Sequence, residues 1–188
     1  MRWWSRLLSL ITRKFDPAEV AAGLLGVVMP TPDGDRGPLK VLEPEATDIP
    51  RVRSELGLLR IFAVLHATRN MQSKDEIQDT FWLLFAEMNE QPLSREDVAA
   101  FKNNLDDYDM LAFMDIPDGK LLLWEVGKVF AKRIGRAMDP IAGAVGATHF
   151  AGAYGIATKF VRSVRVVAKM RDRNVVALMR EQQQRRWR

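Results

Sequence analysis

Over most of its length the chain places apolar residues at a period near 3.6, which predicts a mainly α protein. In "MRWWSRLLSLITRKF" Trp3, Leu7, Ile11 and Phe15 recur every four residues, with Trp4 and Leu8 beside them. Arg2, Arg6, Ser9 and Arg13 take the other side. This is the pattern of an amphipathic helix that either lies in a membrane interface or packs on its own domain. A second helix is expected from Asp16, which can cap it, with Pro17 at the first helical position and Glu19 three residues after the cap. It runs to about Met29, so residues 1–29 form two N-terminal helices. Pro30, Pro32, Pro38, Pro44 and Pro50 then predict a linker or an extended arm over 30–50, because proline removes backbone donors.

Residues 51–138 carry the clearest periodicity and are expected to form a central domain. Leu58, Ile61, Phe62 and Leu65 mark one helix. A second opens on a capping box, Ser73 with Glu76, and carries Ile77, Phe81, Leu84, Phe85 and Met88. Ser94 and Asp97 cap a third, with Val98, Phe101 and Leu105 on its apolar face. In "DMLAFMDIPDGKLLLWEV" two apolar runs flank Pro117-Asp118-Gly119, which predicts a β-hairpin. A helix with Val129, Phe130, Ile134 and Ala137 follows.

Three helices, a hairpin and a helix is an order that resembles the winged-helix superfamily, over residues 54–137 and at the level of topology. The resemblance implies a winged-helix-like central fold, and in its DNA-binding members a third helix that enters the major groove. Here that helix and its exit carry Glu96, Asp97, Asp106, Asp107 and Asp109 against Arg95 and Lys102. The predicted hairpin adds Asp115 and Asp118 against Lys120. Such a surface repels phosphates rather than neutralising them, so the central domain is expected to bind protein.

From Pro140 to Thr158 there are nineteen residues without a formal charge, most of them Gly or Ala. On a helix Gly143, Ala147, Ala151 and Gly155 make one ridge that lets another backbone approach closely. The ridge suits either an intramembrane seam or a soluble helix–helix contact. Asp139-Pro140 marks the helix start. The pattern continues into a basic tail, with Arg162, Arg165, Lys169 and Arg173 in a row and Arg185, Arg186 and Arg188 at the end. Residues 139–188 are thus read as one small-residue helix continuing into that tail.

Composition changes this picture in two ways. The chain has 188 residues and no cysteine, which excludes disulfides and thiolate chemistry and suits a reducing compartment. Its net charge of +4 is unevenly spread: 51–125 is acidic, at −6, and 126–188 is basic, at +11. Such asymmetry points the tail at an anionic surface of lipid, nucleic acid or protein. His66 and His149 stand outside any metal-ligand spacing, and "LDDYD" at 105–109 lacks the spacing of a calcium loop. No phosphate-binding or nucleophile motif is present.

The expectation is therefore a non-enzymatic interaction protein without cofactor, catalytic residues or metal, acting as a subunit of a larger assembly. Its contacts to membrane or partner would come from Arg2, Trp3, Trp4, Arg6, Leu7, Ile11 and Arg13, and its anionic-surface contacts from the basic tail. Partners would be protein, a second copy of the chain or an anionic membrane. The expected location is cytoplasmic, with the inner face of a membrane as the surface its ends meet. The alternative is a nucleic-acid-associated winged-helix protein that binds phosphate backbone through the tail.

Overall fold

The computed structural model describes residues 16–29, 34–71, 73–88, 93–113 and 119–186, excluding the side chains of 112–120 and of 165 onward. The described helices are α1 (Pro17–Val28), α2 (Arg36–Leu42), α3 (Ile49–Thr68), α4 (Lys74–Glu87), α5 (Arg95–Asn104), α6 (Asp106–Phe113), α7 (Gly119–Arg133) and α8 (Pro140–Arg186).

α3 is apolar on nearly every side, and a helix of that kind has to be surrounded. Leu56, Leu59, Phe62, Ala63 and Val64 are all essentially inaccessible. α8 covers it most extensively, and α1, α4, α6 and α7 also pack against it. α1 buries Val20, Ala21, Leu24, Leu25 and Val28, packing mainly on α4 and also on α8. One hydrophobic cluster thus joins residues from Val20 to Val161.

Helix ends follow local chemistry where the caps are good. The Asp16 carboxylate accepts from Ala18 N–H at 2.9 Å, and Ser94 and Asp97 complete a reciprocal capping box at 3.1 and 3.0 Å. Asp139 accepts from the N–H groups of Ile141 and Ala142 at the start of α8. At Ser73 the side chain makes no capping hydrogen bond, and the capping box with Glu76 is not formed.

The expected β-hairpin is not seen: no strand occurs among the described residues, and the described parts of both apolar runs are helical. Met110–Phe113 belong to α6, and Leu121–Val126 belong to α7, which continues to Arg133. A short unbroken apolar run has no readable period, so the turn signal between the runs cannot decide strand from helix. The positions downstream decide it. Leu122, Val126 and Phe130 recur every four residues, and the last two are fully buried. Extending that stripe backward makes the second run the first turns of α7. The hairpin of the winged-helix-like arrangement is thus replaced by helices on both sides of residues 114–118, which lie outside the described residues.

α7 also stops earlier than its pattern predicts. Gly135 has φ +82°, its N–H donates to Lys132 O, and Arg136 N–H donates to Ala131 O at 2.7 Å. This left-handed Schellman ending turns the chain away before exposed Ala137. Within the proline-rich stretch α2 forms nonetheless. Pro38 is its third residue, where a missing N–H breaks no intrahelical bond.

α7 and α8 approach backbone to backbone. A Cβ built on Gly127 would overlap the Gly143 carbonyl and touch Ala147, and one on Gly146 would overlap Phe130. Gly127→Ala should therefore cost about 1–3 kcal/mol, as overpacking does. At Gly152 an added Cβ meets nothing within 4 Å. Gly152→Ala should stabilise by up to about 1 kcal/mol through helix propensity alone. Urea unfolding of the two variants checks the pair, and equal midpoints would refute the close approach.

Candidate functional site

A groove of about 900 Å³ lies beside the first half of α8. Ile141, Ala144, Val145, Thr148, Gly152 and Ile156 of α8 form its floor and one wall. Gly26, Val27 and Met29 at the end of α1, and Gly37, Pro38 and Val41 of α2, form the other. The helical spacing of Ala144, Thr148 and Gly152 keeps the floor low, and all three are exposed. Met29, Val41, Ile141 and Ile156 stand exposed on the rim, at 41 to 59%. An apolar cleft of this size with few polar groups is the usual form of a ligand site.

Its polar groups gather at one place. Arg60 projects from the buried middle of α3 and is 8% exposed. Its Nη1 donates to Asp35 Oδ1 at 2.6 Å and lies 3.4 Å from His149 Nε2. Its Nε is buried without a hydrogen-bond partner. Asp35 precedes α2 but makes no capping bond there, because its carboxylate is turned to Arg60. Burial, and then the Arg60 charge, push the His149 imidazole below its ordinary pKa, so it stays neutral. The guanidinium, one carboxylate and one neutral imidazole leave the cluster with no net charge.

A second buried polar cluster lies among α3, α6 and α7. Glu55 Oε1 accepts from Tyr108 Oη at 2.8 Å and from Arg133 Nε at 2.6 Å, while Arg133 Nη1 donates to Asp107 at 3.0 Å. Burial, then the Glu55 carboxylate, push the Tyr108 phenol far above its usual range. His66 sits in an aromatic cluster with Phe62, Phe150 and Tyr154. Its Nδ1 has no partner, and burial, aided by Arg69, lowers its pKa to about 4.

The residues expected from the sequence are placed as follows. Gly143 and Ala147 lie at the α7 contact, beside Gly127. Ala151 and Gly155 are half-buried, and an added Cβ at Gly155 would meet nothing within 4 Å. The buried line on α8 is instead Ala142, Gly146, Phe150, Ala153, Ala157 and Val161. No helix among the described residues is long and apolar enough to cross a membrane. Arg162 is exposed; Arg165, Lys169, Arg173, Arg185 and Arg186 follow it in α8, their side chains outside the described set. Arg2, Trp3, Trp4, Arg6, Leu7, Ile11, Arg13 and Arg188 lie outside the described residues. Among the described residues no three His, Asp or Glu side chains converge as metal ligands, and Asp107 of the "LDDYD" run pairs with Arg133.

Arg60, Asp35 and Glu55 are not singled out by sequence reasoning. The available signal is a charge inside an otherwise apolar run: "LLRIFAV" puts Arg60 between Leu59 and Ile61 on a helix buried all round. The chain matches no protein-family model, and no curated protein or solved structure is significantly similar to it.

Two outcomes follow from the buried polar groups. Arg133→Met leaves Glu55 a buried carboxylate with Tyr108 alone, and should cost about 3 kcal/mol. Tyr108→Phe removes one neutral donor and should cost about 1–2 kcal/mol. Denaturant midpoints rank the two, and the reverse order would be inconsistent with the pairing described. His66 has a folded pKa near 4 against an ordinary 6.5. A depressed folded pKa means its contribution is fully present above pH 6.5 and is lost as pH falls toward 4. Unfolding midpoints measured from pH 7.5 down to 4.5 should therefore decline, less steeply in His66→Phe. His149, lowered in the same direction, supplies part of the remaining slope.

Proposed function

We propose that the chain is a non-catalytic interaction protein that works at an anionic membrane surface as part of a larger assembly. The observation that carries this reading is the build of α8. It is one helix of 47 residues, about 70 Å at the usual rise, whose Gly/Ala half is anchored in the core. Its continuation carries Arg162, Arg165, Lys169 and Arg173 at helical spacing. A rigid helix anchored at one end and basic at the other can hold a folded body against anionic headgroups. Residues 1–15 carry the same Trp and Arg chemistry and would add to that contact. The acidic region 51–125 is left for a protein partner, since like charge keeps it off both lipid and nucleic acid.

Flotation of the full chain with phosphatidylserine vesicles and with neutral vesicles tests this. Binding should require the anionic lipid and weaken with salt. Each basic residue near the surface contributes about 1 kcal/mol. Replacing Arg162, Arg165, Lys169 and Arg173 together by Gln should therefore reduce binding by orders of magnitude, with the helical circular dichroism of the core kept. Retention of binding in that variant, or tighter binding to duplex DNA or RNA than to vesicles at physiological salt, would replace the membrane reading with another.

A further inference from the structure

We propose that the groove beside α8 binds a long-chain monocarboxylic acid, with the chain along the apolar floor and the carboxylate at Arg60. The inference goes beyond the membrane reading and does not depend on it. Vesicle binding reads the basic continuation of α8, and ligand binding reads Arg60 and Gly152.

Three observations carry the argument. The first is space. At about 900 Å³ the groove lies within the range of small-molecule sites. A Cβ added at Gly26 or Gly152 would meet nothing within 4 Å, so the space above these residues is open. The second is the distribution of polarity. The lining is mostly apolar, and its charged group is Arg60, with His149 beside it. A head-and-tail ligand needs that arrangement, whereas a docked helix would be held by anchors spaced along the groove.

The third is the state of Arg60. It lines the groove, is nine-tenths buried, and carries an Nε shut off from water with no acceptor. A guanidinium offers five donors in a planar fork that matches a carboxylate. Asp35 engages Nη1 and the Nε is enclosed, so only the remaining edge of the fork can face the groove. A carboxylate seated in the groove would meet the part of the guanidinium that lines it, while Asp35 and the enclosed Nε hold the fork in place. Asp35 also sets the charge that is tolerated. With one carboxylate already on the cation, a dianionic phosphate would meet more repulsion than a single carboxylate. His149, neutral and 3.4 Å from Nη1, adds no further positive charge. The chemistry that fits is one planar monoanion on a long apolar chain.

Dansyl-undecanoic acid, titrated into the full-length protein, tests the assignment. Its emission should rise on binding, and oleic acid should displace it at least about tenfold better than methyl oleate, the loss expected for one charge-assisted contact. Gly152→Leu places a side chain in open space, so it should keep or raise the melting temperature while lowering probe affinity about tenfold or more. Arg60→Gln should abolish the preference of acid over ester. No change in probe emission, equal displacement by acid and ester, or unaltered binding in Gly152→Leu would each overturn the proposal. The Gly152 variant keeps the test decisive if Arg60→Gln fails to fold.

Discussion

Two helix backbones can come together only where side chains leave room, and this chain makes that room where α7 meets α8. Gly127 lies against the Gly143 carbonyl, and Phe130 lies over Gly146. This close approach brings α8 down onto α3 as well, so that Phe150 stacks on Phe62 with ring centres 5.3 Å apart. Tyr108 of α6 also stacks on Phe62, with ring centres 5.5 Å apart. α1 closes against α8 through the contact of Gly23 with the Phe160 ring. The surroundings that bury α3 thus depend on small residues on its neighbours.

The same geometry explains where the groove lies. α8 has one face against α7 and another against α3, and its Ala144–Thr148–Gly152 face is left between α1 and α2. Small residues that permit close packing on one side therefore produce a low, open floor on the other. Two buried charge clusters tie distant segments around this frame. Arg133 reaches Glu55 across 78 residues of sequence, and Arg60 reaches Asp35 across 25. Arg136 adds a bond to the Leu42 carbonyl at 2.8 Å, which joins the end of α7 to the end of α2. Paired buried charges of this kind add little net stability, but they penalise alternative packings that would leave a charge alone.

The basic continuation of α8 and the groove occupy different halves of one helix. Anchoring in the core holds the first half of the helix in place, and that half carries the groove. The second half is basic in sequence and far less apolar. A surface bound by the tail would be reported to the groove, if at all, through a single rigid helix rather than through a linker.

The sequence by itself determined the mainly helical class, the caps at Asp16, Ser94 and Asp139, and the unusual nature of residues 140–158. These are legible because each depends on neighbours within one turn: a side-chain oxygen beside an orphan N–H, or a spacing of four. The same local reasoning fails where two structures share one local signal. Leu121–Val126 reads as a strand until Val126 and Phe130 are seen buried against other helices. Ser73 has the residue of a cap without the geometry. Only the tertiary structure decided which side of α8 is buried, because four-residue ridges run at several angles around one helix and the partner selects among them. It also decided the site. Arg60 and Asp35 lie on different elements, and His149 comes from a helix 89 residues beyond Arg60. No pattern within a window brings these together; their convergence follows from the packing of α2 on α8 and of α8 on α3.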